Sequence, residues 1–128
     1  MSRLKTDLTV LCEAALAGRL EQASAEWDAR AALGVVIAAH GYPDTPRTGD
    51  LVSGLEAAAR LPGKVFHAGT QLDGDRIVTS GGRVLCAVGL GERVADARRQ
   101  AYALVDAIRI DGAHHRADIG HRAIARDA

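Results

Sequence analysis

VFHAGTQLDGDRIVTSGGRVLCAV, residues 65–88, is the stretch on which the fold turns. Val65–Leu72 is a strand-forming run closed by Asp73-Gly74, a two-residue hairpin signal in which glycine accepts positive φ and aspartate tolerates it. Arg76–Thr79 reads as the returning strand, Ser80-Gly81-Gly82 as a second turn and Arg83–Val88 as a third strand. Together they predict a small antiparallel meander.

Upstream, Leu33–Ala39 (LGVVIAA) is a short β-branched run bounded by HGYPDTP. Its continuous apolar character predicts a strand buried on both faces. Such a strand needs neighbours, so it and the helix before it look cut from a larger sheet. Gly41-Tyr42-Pro43 and Pro46 make His40–Asp50 a loop, and Leu51–Leu61 predicts a short helix closed by Pro62-Gly63. Nearer the N-terminus, Leu4, Leu8, Leu11, Ala15 and Leu16 follow helical spacing over Leu4–Ala17, with Gly18 placed to stop it. Leu20–Ala25 adds a further short turn. Downstream, Gly89–Glu92 breaks the strand pattern. Val94, Ala97, Ala101, Leu104, Val105 and Ile108 then mark one face of a helix over Arg93–Ile110. The polar tail from Asp111 keeps Ile119 and Ile124 available to dock as an edge strand. Segregated strands and helices place the chain in the α+β class.

At 128 residues the chain is one domain, or one domain and a piece of another. Apolar residues make up 48% of it but aromatics only 3%, so the core has to be aliphatic. The 16 basic and 16 acidic residues cancel, which argues against a nucleic-acid or anionic-membrane partner. The longest apolar stretch, Ala31–Ala39, is far shorter than the roughly 20 residues that span a bilayer. MSRLKTDL lacks the apolar core of a signal peptide, so a soluble, cytoplasmic protein is expected. Cys12 and Cys86 lie in apolar segments without ligand spacing and read as buried small hydrophobes.

The five histidines, His40, His67, His114, His115 and His121, show no metal-ligand spacing. Adjacent His114 and His115 point to opposite sides of an extended chain, so solvated histidine is the expectation. Ser53 in VSGLE sits in no nucleophile elbow and is expected at a helix start. No phosphate-cradling motif occurs, and GLGE at Gly89–Glu92 reads as a tight strand-to-helix turn. TSGGRVL, Thr79–Leu85, leaves two readings open. Its glycines serve a plain hairpin turn, or their amides form a concave nest beside the Arg83 fork that receives an anion. Arg3 and Lys5, at the start of the first predicted helix, oppose its dipole there, which hints at a task other than helix stability.

Four stretches carry a family resemblance: RLKTDL (3–8), WDARAALGVVIAAHGYP (27–43), VFHAGTQLDGDRIVTSGGRVLCAVGLG (65–91) and ADIGHRAI (117–124). With FHAGT, TxGGRVL, AY-x-x-V (Ala101–Val105) and DIGxRA in order, the chain resembles the C-terminal portion of phosphoribosylamine–glycine ligase, or glycinamide ribonucleotide synthetase. The resemblance implies an ATP-grasp ligase of purine synthesis, joining glycine to 5-phosphoribosylamine with ATP and magnesium through an acyl phosphate. It implies the end of an ATP-grasp domain over residues 1–40. A small, β-rich, hybrid-motif-like domain follows over 41–128 and closes over the substrate. The family's N-terminal domain, glycine-rich loop and magnesium-binding Glu/Asn segment lie upstream of the matched stretch. The chain alone is therefore expected to hold neither ATP nor magnesium, to carry no catalytic residue, and to be inactive without its N-terminal partner. A truncated piece, a split-gene product or a remnant all fit.

By the same resemblance Gly81, Gly82 and Arg83 lie near the substrate phosphate. Arg3 and Lys5 match the cleft wall, and Asp118 and Arg122 match DIGxRA. Against this, the glycines serve turns and Asp118 pairs with Arg122 to pin the tail. Gln71 stands where a lysine is frequent, and His114-His115 replaces a more aromatic pair. Two rival expectations remain. One is a non-enzymatic module that self-associates through its sheet edge and first helix; the other is a free-standing sugar-phosphate binder.

Overall fold

Along Ala31–Ala38 the side chains alternate in environment: Leu33, Val35 and Ile37 are buried, while Ala32, Gly34 and Val36 are exposed. This strand organises the molecule. The computed structural model describes residues 1–126. Its elements are α1 (Leu8–Leu16), a 3-10 turn (Leu20–Gln22), β1 (Ala31–Ala38), α2 (Leu55–Ala59), β2 (Lys64–His67), β3 (Thr70–Asp73), β4 (Arg76–Thr79), β5 (Arg83–Gly91), α3 (Val94–Ala107) and α4 (His121–Arg126). The class is α+β, as expected.

β5 is the central strand of a three-stranded antiparallel sheet in the order β1-β5-β2. Its register runs from Ala31 opposite Gly91 to Ala38 opposite Arg83 on one side, and from Lys64 opposite Val88 to His67 opposite Leu85 on the other. β3 and β4 form a separate two-stranded ribbon. The predicted meander is therefore corrected. β4 and β5 are not ladder neighbours, and the predicted strand Val65–Leu72 is broken at Ala68-Gly69. Burial of β1 on both faces is corrected too: β5 supplies its neighbour from downstream, and only one face is covered.

α3 covers that face. Ala97, Ala101, Leu104 and Val105 form its buried stripe and pack with Leu33, Val35, Ile37, Leu85 and Ala87 in an aliphatic core. The helix lies so close that glycine is required beneath it. A Cβ on Gly89 would stand 2.1 Å from the Ala97 carbonyl oxygen, and one on Gly91 2.6 Å from the Ala97 nitrogen. GLGE thus serves helix–sheet packing inside a continuing strand, rather than breaking the strand.

The other departures are local. Residues 51–53 run extended, Gly54 turns the chain at φ +83°, and only Leu55–Ala59 is helical, because Ser53 exchanges two backbone hydrogen bonds with Arg109, each 3.0 Å. Ser53 therefore precedes the helix rather than starting it. The tail does not dock as an edge strand. His114 pairs with Ala38 instead, and Ile124 falls in α4. Tyr102 fastens the tail by donating to the Arg116 carbonyl at 2.5 Å and accepting from the Ile119 amide at 3.3 Å. Arg98 donates to the carbonyls of Ala117 and Ile119. α1 starts only after Asp7, whose carboxylate accepts from the Thr9 amide at 2.9 Å, and buries no residue. Cys12 is accordingly exposed, against expectation, while Cys86 is half-buried. Arg3, in a turn, and Lys5 flank Leu4, which pairs with Trp27, and both precede the helix that starts at Leu8, so the helix-dipole argument does not apply to them. Among the described residues no helix is long and apolar enough to cross a membrane.

Candidate functional site

Ser80-Gly81-Gly82 does not reverse the chain. Thr70 lies opposite Thr79, and His67 opposite Leu85. Between those two pairs one arm advances three residues and the other six, so three extra residues swell out as a large bulge in one long bent hairpin. Three backbone bonds hold the bulge, each 2.8 Å: Ser80 amide to Gly69 carbonyl, Gly69 amide to Arg83 carbonyl, and Ala39 amide to Gly82 carbonyl. The last ties it to the end of β1.

Glycine is needed here for space, not for handedness. Neither Gly81 nor Gly82 has positive φ, so the alternating-hand form of an amide nest is absent. A Cβ on Gly82 would stand 2.4 Å from Tyr42 Cδ2 and 3.0 Å from Pro46 Cγ. A Cβ on Gly69 would meet the Arg83 carbonyl oxygen at 2.8 Å and Gly81 Cα at 2.9 Å. Bulge, Tyr42 ring and Pro46 are thus packed backbone-close. Among the described residues no backbone carbonyl accepts from the Gly81 or Gly82 amide.

Beside the bulge opens a recess of about 560 Å³, lined by Val36, Tyr42, Pro46, Ala68, Gly82, Arg83, Leu85 and Cys86. Arg83 is the only charged residue in that lining. Its guanidinium has no carboxylate partner among the described residues, unlike Arg30, Arg47, Arg76, Arg99 and Arg116. Burial pushes the Cys86 thiol up, which disfavours a nucleophilic thiolate. Of the two glycines only Gly82 lines the recess; an apolar wall with a single exposed guanidinium suits an anionic group carried on a less polar body.

The remaining predicted residues lie elsewhere. Arg3 Nε donates to the Asp28 carbonyl at 2.9 Å, and Lys5 Nζ to Glu26 Oε1 at 3.4 Å, both in the N-terminal segment. Asp118 and Arg122 share a second, smaller recess with Arg116 and His121. Asp118 pairs with Arg116, not Arg122: Nε and Nη2 of Arg116 reach its two oxygens at 2.9 and 2.6 Å. These bonds hold the Asp118 carboxyl below its ordinary range. Arg30 acts likewise on Asp28. Neither aspartate is poised as a base. Tyr42, Pro46, Val36 and Cys86 escaped the sequence reading. The one available signal was Tyr42 itself, a rare aromatic in a chain with so few.

Residues 32–122 match the family model described as phosphoribosylglycinamide synthetase, C domain. The chain is 57% identical over 127 residues to a phosphoribosylamine–glycine ligase of Allochromatium vinosum, covering 99% of this chain and 30% of that protein. The Salmonella typhimurium ligase is 57% identical over 128 residues, with the same coverage. A crystal structure of phosphoribosylamine–glycine ligase from Thermotoga maritima is similar at a TM-score of 0.60 and 40% identity, over 68% of this chain and 21% of that one. The chain therefore spans less than a third of the length of these relatives. It belongs to the phosphoribosylglycinamide synthetase C-domain family.

Proposed function

We propose that this chain is the substrate-closing C-terminal module of a ligase that joins glycine to 5-phosphoribosylamine with ATP and magnesium. The observation that carries this reading is identity of 57% across 99% of the chain to relatives bearing that ligase name. Within it, Arg83 and the Gly81 and Gly82 amides hold the substrate phosphate, and the Tyr42 ring against Gly82 keeps the bulge in place. A guanidinium beside open amides binds a phosphate by charge-assisted hydrogen bonds. The apolar wall on one side lowers the local dielectric and strengthens that contact.

Magnesium and the groups that act on ATP belong to the remainder of the enzyme. Among the described residues no three His, Cys, Asp or Glu side chains converge as ligands. The residues present do not fit a magnesium ion, and no step through one is derived. On this reading the module is inactive alone and resides in the cytoplasm with its partner. Arg3 and Lys5 reach the cleft wall only in the assembled enzyme, and Asp118 and Arg122 stand at its rim. The ladder of β1 to β5 along its length and a family match that begins at Ala32 favour a division nearer residue 30 than the residue 40 that the resemblance implies.

The test mixes the chain with the portion of the Salmonella typhimurium ligase that it does not match, and follows ADP formation with glycine and phosphoribosylamine. Activity should need both components. Turnover by the chain alone, or none from the mixture, overturns the proposal.

A further inference from the structure

The sheet has a second face. Ala32, Gly34 and Val36 of β1 point away from α3, opposite Leu90, Val88 and Cys86 of β5. β2 adds Lys64 opposite Val88 and Phe66 opposite Cys86. Of these eight positions only Lys64 is charged. Val36 is 41% exposed and Phe66 40%, and Ala32 and Gly34 are also exposed. A continuous apolar face across three strands is unusual on a domain that works alone. α3 covers only the opposite face of β1, where Leu33, Val35 and Ile37 are buried. The recess that holds Arg83 opens at the edge of the other, since Val36 and Cys86 belong to both.

We infer that this face is the seat of the remainder of the ligase polypeptide, the part of the relatives lying outside the 30% that this chain matches. The inference rests on the ligase reading above. In those relatives the matched stretch and the remainder are one chain. The remainder therefore meets the face at an effective concentration on the order of millimolar, which a second copy in dilute solution does not reach. Covering the face also removes water from the mouth of the recess, so docking strengthens the grip of Arg83 on an anion. Docking and substrate binding are thereby coupled.

Cys86 reports on the seat, because the register places it between Val36 and Phe66. In a Cys12→Ser background the full chain is mixed with the unmatched portion of the Salmonella typhimurium ligase, and maleimide labelling of Cys86 is timed. With the partner at about ten times Kd, labelling slows roughly tenfold, since only the free fraction reacts. Val36→Lys and Phe66→Lys abolish the reconstituted activity, whereas Leu72→Lys, on the ribbon and 75% exposed, retains both binding and activity. If the mixture forms ADP while Cys86 labels at its free rate, the seat is wrong and the ligase reading stands. If the wild-type mixture neither associates nor forms ADP, the ligase reading fails and takes this inference with it. Concentration-dependent protection of Cys86 in the chain alone, with dimer mass by light scattering, assigns the face to a second copy and overturns the inference.

Discussion

Replacing Gly89 with alanine sets a methyl group where the backbone of α3 already lies. Its Cβ would stand 2.1 Å from the Ala97 carbonyl oxygen and 2.7 Å from the Ala101 nitrogen. Ordinary contact begins near 3.4 Å, so strand and helix have to part by about 1.3 Å. Both obstacles are backbone and cannot rotate aside. β5 is held on both edges by β1 and β2, so α3 is the element that yields. Its retreat loosens Ala97, Ala101, Leu104 and Val105, none more than 5% exposed. A radial gap of about 0.5–1 Å forfeits a quarter to a half of the dispersion attraction, and overpacking alone costs about 1–3 kcal/mol. With a backbone obstacle and four buried side chains displaced, the expected cost is about 3 kcal/mol, the upper end of that range. Against a total stability of roughly 5–15 kcal/mol, this lowers Tm by roughly 10–15 °C for a domain of this size. Far-UV circular dichroism during urea and thermal unfolding measures it. Gly74→Ala is the control, with φ +60° and nothing within 4 Å of the added Cβ; it pays only the left-handed strain of about 1–2 kcal/mol. If Gly89→Ala costs no more than Gly74→Ala, the close seating of α3 on β5 is refuted.

Arg83→Ala should leave urea unfolding unchanged, because the side chain is exposed and has no carboxylate partner among the described residues. In the reconstituted ligase it should raise KM for phosphoribosylamine roughly 10- to 100-fold, the worth of a charged hydrogen bond. Arg83→Lys should restore only part of that, lacking the planar fork. Thr79 is fully buried; its hydroxyl accepts from the Asp50 amide at 3.0 Å and donates to the Arg47 carbonyl at 3.4 Å. Thr79→Val should therefore cost about 1–3 kcal/mol in urea unfolding, while Thr79→Ser keeps the bonds and most of the stability. Acid should act through Asp118, whose carboxyl Arg116 holds below its ordinary value. A depressed folded value means stability present above the unfolded pKa of about 3.9 and lost as pH falls through the folded one. The urea midpoint should lose this contribution below about pH 4 and not between pH 7 and 5, and Arg116→Ala should diminish that acid-dependent share.

The elements that depend on neighbours in sequence were legible. Asp73-Gly74 marks its hairpin to within one residue: Asp73 still pairs with Arg76, so the two loop residues are Gly74 and Asp75, and Gly74 at φ +60° supplies the backbone freedom that the turn needs. The stripe from Val94 to Ile108 marks α3 because helical periodicity is a property of the segment alone. Composition pointed to an aliphatic core, and the core cluster contains no fully buried aromatic. The helix predicted over Leu51–Leu61 is shortened to Leu55–Ala59 because Arg109, distant in sequence, claims the backbone of Ser53. Cys12 read as buried because it lies in an apolar segment, and nothing local says whether that segment meets a partner; it is exposed.

The candidate site was legible in part. TSGGRVL stood out as a place where glycines and an arginine meet, and Arg83 does line a recess. Its surroundings were not readable, since Val36, Tyr42 and Cys86 reach it from three separate segments. The order of residues along the chain determined the class, the aliphatic core, the tight hairpin and the amphipathic helix, all of which follow from local periodicity and backbone freedom. Only the tertiary structure decided that β5 is the central strand, that Ser80-Gly81-Gly82 is a bulge rather than a turn, and that one face of β1 lies open. Strand pairing is a choice among distant partners, and the hydrogen bonds and volumes that settle it exist only once the chain has closed on itself.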